Sequence, residues 1–149
     1  MPEDRDALLA HFHQMRAALL AAIEGLNDAQ MVEPSLDGWS VKDHLAHLAL
    51  WDDLRASEVE RISAGYQTAW HMPGRDHEYS GLAYELRRDL ALAQVRWELA
   101  TSHRRLLHAI ASASPLGLDA SRYGEAALRS THEAQHTEWI ARWRAAQRT

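Results

Sequence analysis

Residues 38–51, Gly38-Trp39-Ser40-Val41-Lys42-Asp43-His44-Leu45-Ala46-His47-Leu48-Ala49-Leu50-Trp51, read as the start of a helix that carries a histidine toward an apolar core. Ser40 with Asp43 three residues on is an N-cap with a capping-box variant. Val41, Leu45, Leu48, Trp51, Leu54, Val59 and Ile62 then recur every three to four residues, and Gly65 stops the helix near Ala64. His47 stands beside Leu48 and one turn before Trp51, so its imidazole is expected to face inward. A polar ring placed there is costly unless something binds it.

The same rhythm recurs on either side. Leu8-Leu9, Phe12, Met15, Leu19-Leu20, Ile23 and Leu26 predict a first helix over about 3–25. Asn27-Asp28, Pro34 and Asp37-Gly38 mark the connection to Trp39 as turns. Residues 65–80 lack periodicity and read as a long loop carrying Tyr66, Trp70, His71, His77 and Tyr79, aromatic enough to line a pocket. A third helix is predicted over 81–112, broken by Ser114-Pro115-Leu116-Gly117. A fourth is predicted over 124–146, with Leu128, His132, His136, Trp139-Ile140 and Trp143 along one side. Strand-like alternation and internal repeats are absent. The expected fold is all-α, a four-helix bundle with long inter-helix connections, in one domain over 1–149.

Composition narrows the chemistry. The 149 residues are 46% hydrophobic and 25% charged, as in an ordinary soluble protein. There is no cysteine, which removes disulfides, thiolate zinc sites and cysteine nucleophiles and leaves His, Asp and Glu as metal ligands. A net charge of −5 argues against general nucleic-acid affinity. The acidic start Met1-Pro2-Glu3-Asp4-Arg5-Asp6 is unlike a signal or transit sequence, and no apolar run approaches the roughly 20 residues of a membrane span. A cytoplasmic location is the resulting expectation. Glycine-rich phosphate loops and Gly-x-Ser-x-Gly motifs are absent.

Ten histidines and six tryptophans are the unusual counts. His132 and His136 are spaced i, i+4, which on a helix brings both imidazoles to one side. That spacing alone is as common on solvated faces. Continuation of the stripe into Trp139-Ile140 and Trp143 turns the pair inward, toward the kind of bundle core where helical metalloproteins build their sites. Three imidazoles, His47, His132 and His136, would leave an open position on a divalent ion, as catalytic sites do.

The Gly-Trp-Ser-Val-Lys-Asp-x-x-x-His-Leu segment ending in His47-Leu48, the acidic Trp51-Asp52-Asp53 after it and the late His-x-x-x-His resemble the DinB/YfiT-like family of small helical bundles. The resemblance spans nearly the whole chain in helix order and motif position. It implies that His47, His132 and His136 bind a divalent metal, usually nickel or zinc, with iron or manganese as alternatives. His44 falls where members usually have an apolar residue and reads as a non-ligand. Members with an assigned activity mostly activate a low-molecular-weight thiol for isomerisation or S-transfer. A thiol on the metal loses its proton to become the nucleophile, and without thiol the same position suits a water of lowered pKa. His132-x-x-x-His136-x-Glu138 also resembles the iron-binding motif of ergothioneine-type sulfoxide synthases. An exposed helical glutamate accounts for Glu138, and oxidative C–S bond formation ranks below thiol transfer.

Trp51, Trp70, His71, His77 and Trp139 are the candidate pocket residues, with His71 or His77 able to approach the open position. Asp43 reads as a cap before it reads as an imidazole partner. Asp52, Asp53 and Glu133 read as surface acids. His11 and His13 cannot share one face, and neither they nor His103 and His108 receive a role. The expected function is a metal-dependent, thiol-dependent transferase or isomerase acting on a small electrophile. A metal-water hydrolase and a non-catalytic stress or binding protein are the rivals. Small molecules are the expected partners, without nucleic acid or membrane, and a homodimer through bundle faces is the expected assembly.

Overall fold

In the computed structural model, which describes residues 2–70 and 76–147, Ser40 and Asp43 form the cap the sequence predicts. Ser40 Oγ accepts from the Asp43 backbone N–H at 3.1 Å, and Asp43 Oδ2 accepts from the Ser40 N–H at 2.8 Å. Six α-helices occur among the described residues: α1 (Arg5–Ile23), α2 (Asp28–Val32), α3 (Val41–Ser63), α4 (Asp76–Arg87), α5 (Leu92–Ala111) and α6 (His132–Gln147). A 3₁₀ turn covers Ala120–Arg122. No strand occurs among them; one isolated bridge joins Leu36 and Trp39 around Asp37 and Gly38, both at positive φ. That Asp-Gly turn sets Trp39 directly ahead of α3. At the other end Gly65, at φ +93°, closes α3, with Gly65 N–H bonded to Ile62 C=O and Tyr66 N–H to Arg61 C=O.

The long helices pack as α3 on α5, α1 on α6, α1 on α5 and α3 on α6, with α2 and α4 laid against α3. Two apolar clusters fill the interior. Leu19, Met31, Leu45, Leu99 and Ile140 belong to one, and Leu8, Phe12, Val59, Leu106, Ile110 and Leu128 to the other. Each such side chain contributes about 1.5–3 kcal/mol on burial. Between the clusters, along α1 and α3, lie the buried charges Arg16, Asp52 and Arg55. Arg16 falls between Phe12 and Leu19, and Asp52 between Ala49 and Ala56. A polar layer thus crosses the core, and Glu133 of α6 joins it.

Three boundaries differ from the periodicity. The helix expected over 81–112 is two helices, α4 and α5, separated at 88–91. No proline or glycine breaks it. Lys42 Nζ of α3 instead donates to the C=O groups of Arg88 and Leu90, each at 2.8 Å, satisfying carbonyls that a continuous helix would have used. The expected loop over 65–80 is correspondingly shorter, since α4 begins at Asp76 and contains His77 and Tyr79. The helix expected from 124 begins at His132. Residues 124–131 run as irregular chain whose Ala126 and Leu128 are buried, with Arg55 Nε donating to Ala127 C=O. The short α2 was read only as turn residues; Asn27 and Gln30 form a capping box that starts it. No helix among the described residues is long and apolar enough to cross a membrane.

Candidate metal centre

Helix α3 presents His44 and His47 one turn apart, and α6 presents His132 in its first turn and His136 one turn later. His47 Nε2 lies 3.2 Å from His132 Nε2, and His132 Nε2 lies 3.0 Å from His136 Nε2. One nitrogen from each of the three rings falls within 4.8 Å of the others, a group that could hold a metal ion. Ligand nitrogens about 2.0–2.1 Å from a zinc ion at tetrahedral angles would stand about 3.3–3.4 Å apart, close to the two spacings that His132 makes. The donor chemistry fits as well. One proton on His132 Nε2 can serve only one of its two short contacts well, whereas a cation takes a lone pair from all three rings.

Burial holds the rings of His47 and His136 neutral. His47 and His136 are 8% and 4% exposed. Burial first, then the neighbouring His132 and His44, pulls His47 down to about 3. Burial, then His132, His47 and His44, pulls His136 down to about 2. Both present unprotonated nitrogen at neutral pH, the form a metal requires. Indoles enclose the group: Trp39 lies 5.6 Å from His47, Trp51 5.6 Å from His132 and Trp139 5.0 Å from His136, all roughly edge-on.

A cavity of about 760 Å³ opens onto His44, His47 and His136. Leu36, Trp39, Trp139 and Trp143 give it apolar walls, and Asp37, His77 and Arg142 supply polar groups. Of the pocket residues expected from sequence, Trp139 and His77 line this cavity. Trp51 does not; it is buried behind His132 and packs on Trp70 at 5.3 Å, which in turn packs on Tyr79 at 4.9 Å. Trp70 therefore backs the site from behind. His71 lies outside the described residues. Glu58, buried on α3, holds the chain before Trp70 by accepting from Ala69 N–H at 3.0 Å and from the Thr68 hydroxyl.

Two acids expected at the surface are buried. Asp52 accepts from Arg16 Nη2 at 2.6 Å, and Glu133 accepts from Arg16 Nη2 and Nε at 2.9 and 3.1 Å. The bidentate pair draws Glu133 inward although its neighbour His132 also faces the interior. Near the N-terminus of α6 the acid further complements the helix dipole. Burial raises Asp52 to about 6, with Arg16 opposing and Glu133 reinforcing the shift. Asp53 remains at the surface with Arg105, 3.4 Å away. Glu138 is exposed and paired with Arg142. His13 is exposed, while His11 Nε2 lies 2.6 Å from Ser130 C=O.

Sequence reasoning missed Trp39, Trp143 and Arg142 as cavity residues, and it missed the contact of His44 with His136. The i, i+3 spacing of His44 and His47 was the available signal for the last.

A family model described as the DinB superfamily matches residues 11–140, which include all four of these histidines. No curated protein and no solved structure gives a match.

Proposed function

The chain belongs to the DinB superfamily, and on that premise we propose that it is a divalent-metal-dependent enzyme that joins a low-molecular-weight thiol to a small electrophile or isomerises the adduct. The observation that carries this reading is the convergence of ring nitrogens of His47, His132 and His136 beside an aromatic-walled cavity that His47 and His136 line. In this reading α1, α3, α5 and α6 are the four members of the family's bundle. His47, His132 and His136 would hold the ion, nickel or zinc before iron or manganese, and leave a position open toward the cavity. When bound, such an ion supplies the charge that makes a thiol or a water a nucleophile near neutral pH. Trp39, Trp139 and Trp143 exclude water from the electrophile and offer flat apolar surface to its body. Asp37, His77 and Arg142 supply the polar contacts that orient it. The partners in this reading are small molecules, and the assembly is a cytoplasmic homodimer.

Elemental analysis of the purified protein beside the His47→Ala, His132→Ala double variant tests the metal. Near one equivalent in the wild type, lost in the variant, is the expected result. If both are empty and the wild type takes up no added zinc or nickel, the reading fails. Incubation of loaded protein with thiols and electrophiles, read by mass spectrometry, tests the reaction. A thiol adduct supports transfer, and addition of water alone replaces it with hydrolysis.

A further inference from the structure

His44 is 6% exposed and held edge-on against Trp39 at 5.1 Å. Its Nδ1 lies 2.8 Å from Nδ1 of His136, whose Nε2 is the atom directed at His132. Both nitrogens of His136 are therefore engaged. We propose that His44 is a positioning residue whose Nδ1 accepts the Nδ1–H of His136, and that its own Nε2–H is thereby directed at the cavity as a donor to substrate.

The polarity follows from counting protons. A neutral imidazole carries one hydrogen, on one nitrogen only. If His136 gives its Nε2 lone pair to a cation, its hydrogen sits on Nδ1. A contact of 2.8 Å with a second ring nitrogen then requires that nitrogen to accept. An imidazolium would set N–H against N–H at that distance, so His44 must be neutral and carry its hydrogen on Nε2. The ring lines the cavity, and among the described residues nothing is hydrogen-bonded to its Nε2. Outer partners of this kind fix a ligand's tautomer and raise its basicity. The usual partner is a carboxylate or a carbonyl. A second imidazole differs because it passes the polarity on, so the side facing the cavity is a donor. The group it would recognise is a hydrogen-bond acceptor on the substrate, such as a carbonyl, carboxylate or ether oxygen.

The inference rests on the metal reading, and zinc titration separates the two. Zinc affinity is measured by chelator competition for the wild type, His44→Leu and His44→Asn. The amide oxygen of asparagine can occupy the place of Nδ1, so that variant should stay near wild type. Leucine offers no acceptor and should weaken zinc about 10- to 100-fold. Histidine-selective nitrogen NMR of the zinc-loaded wild type should show His136 protonated on Nδ1 and His44 on Nε2. Unchanged affinity in a folded His44→Leu, or a proton on His44 Nδ1, overturns the proposal while leaving the metal site standing. A wild type that binds no zinc overturns both. Should the leucine variant not fold, the NMR assignment on the wild type decides.

Discussion

Replacing Arg16 with methionine should destabilise the fold by about 3–5 kcal/mol, the cost of stranding one side of a buried ion pair. Arg16 is buried and makes four hydrogen bonds: Nη2 to Asp52 and Glu133, Nε to Glu133, and Nη1 to the Leu99 C=O at 3.0 Å. Methionine fills much of the stem volume and makes none of them. Two carboxylates are left facing each other, and Arg55, the other buried cation, is bonded to the Ala127 carbonyl. The loss is a large share of the roughly 5–15 kcal/mol that holds a domain together. It should also depend on pH. Asp52 already sits at about 6, above its unfolded value, and loses its cation in the variant. A carboxyl raised in the folded state stabilises it most below the unfolded pKa, and that contribution is lost as pH rises through the folded value. The defect should therefore be larger at pH 7.5 than at pH 5.5. Urea unfolding at both pH values, with metal chelated, measures it. Adding Asp52→Asn and Glu133→Gln should recover most of the loss. A loss under about 1 kcal/mol at pH 7.5, as for an exposed pair, or a triple variant no better than the single, would refute the reasoning.

Acid should destabilise the metal-free protein. His44, His47, His103 and His136 lie between about 2 and 4 when folded but near 6.5 when unfolded, so the unfolded chain takes up protons first as pH falls. Each costs about 1.4 kcal/mol per pH unit below 6.5, and Asp52 offsets one of them. Chemical unfolding at pH 7 and pH 5 should show the drop, and His136→Phe should make it shallower; a pH-independent midpoint would contradict the burial of neutral rings. Ser40→Ala should lower stability by about 1 kcal/mol through loss of the α3 cap, read as a lower melting temperature. Gly124→Ala should cost about 1–3 kcal/mol, as overpacking does, because the added Cβ would meet the Trp70 carbonyl oxygen at 2.5 Å. Gly81→Ala, with open space at its Cβ, is the control and should leave the unfolding midpoint no lower.

Local signals carried most of what the sequence could tell. The Ser40–Asp43 cap, the Gly65 stop and the stripe on α1 depend on residues within one or two turns of each other, and periodicity reads such relations directly. The place of His47, His132 and His136 also followed, because helical spacing and apolar neighbours set which way each ring points. What escaped is tertiary. The break at 88–91 is made by Lys42, a residue 46 positions away from Arg88. Glu133 looked solvated because a residue beside an inward ligand should turn aside; Arg16, 117 positions away, gives it a buried partner. The family resemblance sets His44 apart from the ligands, and its 2.8 Å contact with His136 is one that no spacing along one helix contains.

The collar of indoles around the imidazoles makes the protein report on itself. Trp39, Trp51 and Trp139 are half of the chain's six tryptophans, and their rings lie 5.0 to 5.6 Å from those of His47, His132 and His136. An open-shell ion seated among those imidazoles would drain the excited state of nearby indoles, whereas closed-shell zinc would leave their emission largely intact. Ultraviolet fluorescence of the unlabelled protein should therefore distinguish nickel from zinc during a titration, with no dye and no knowledge of the substrate.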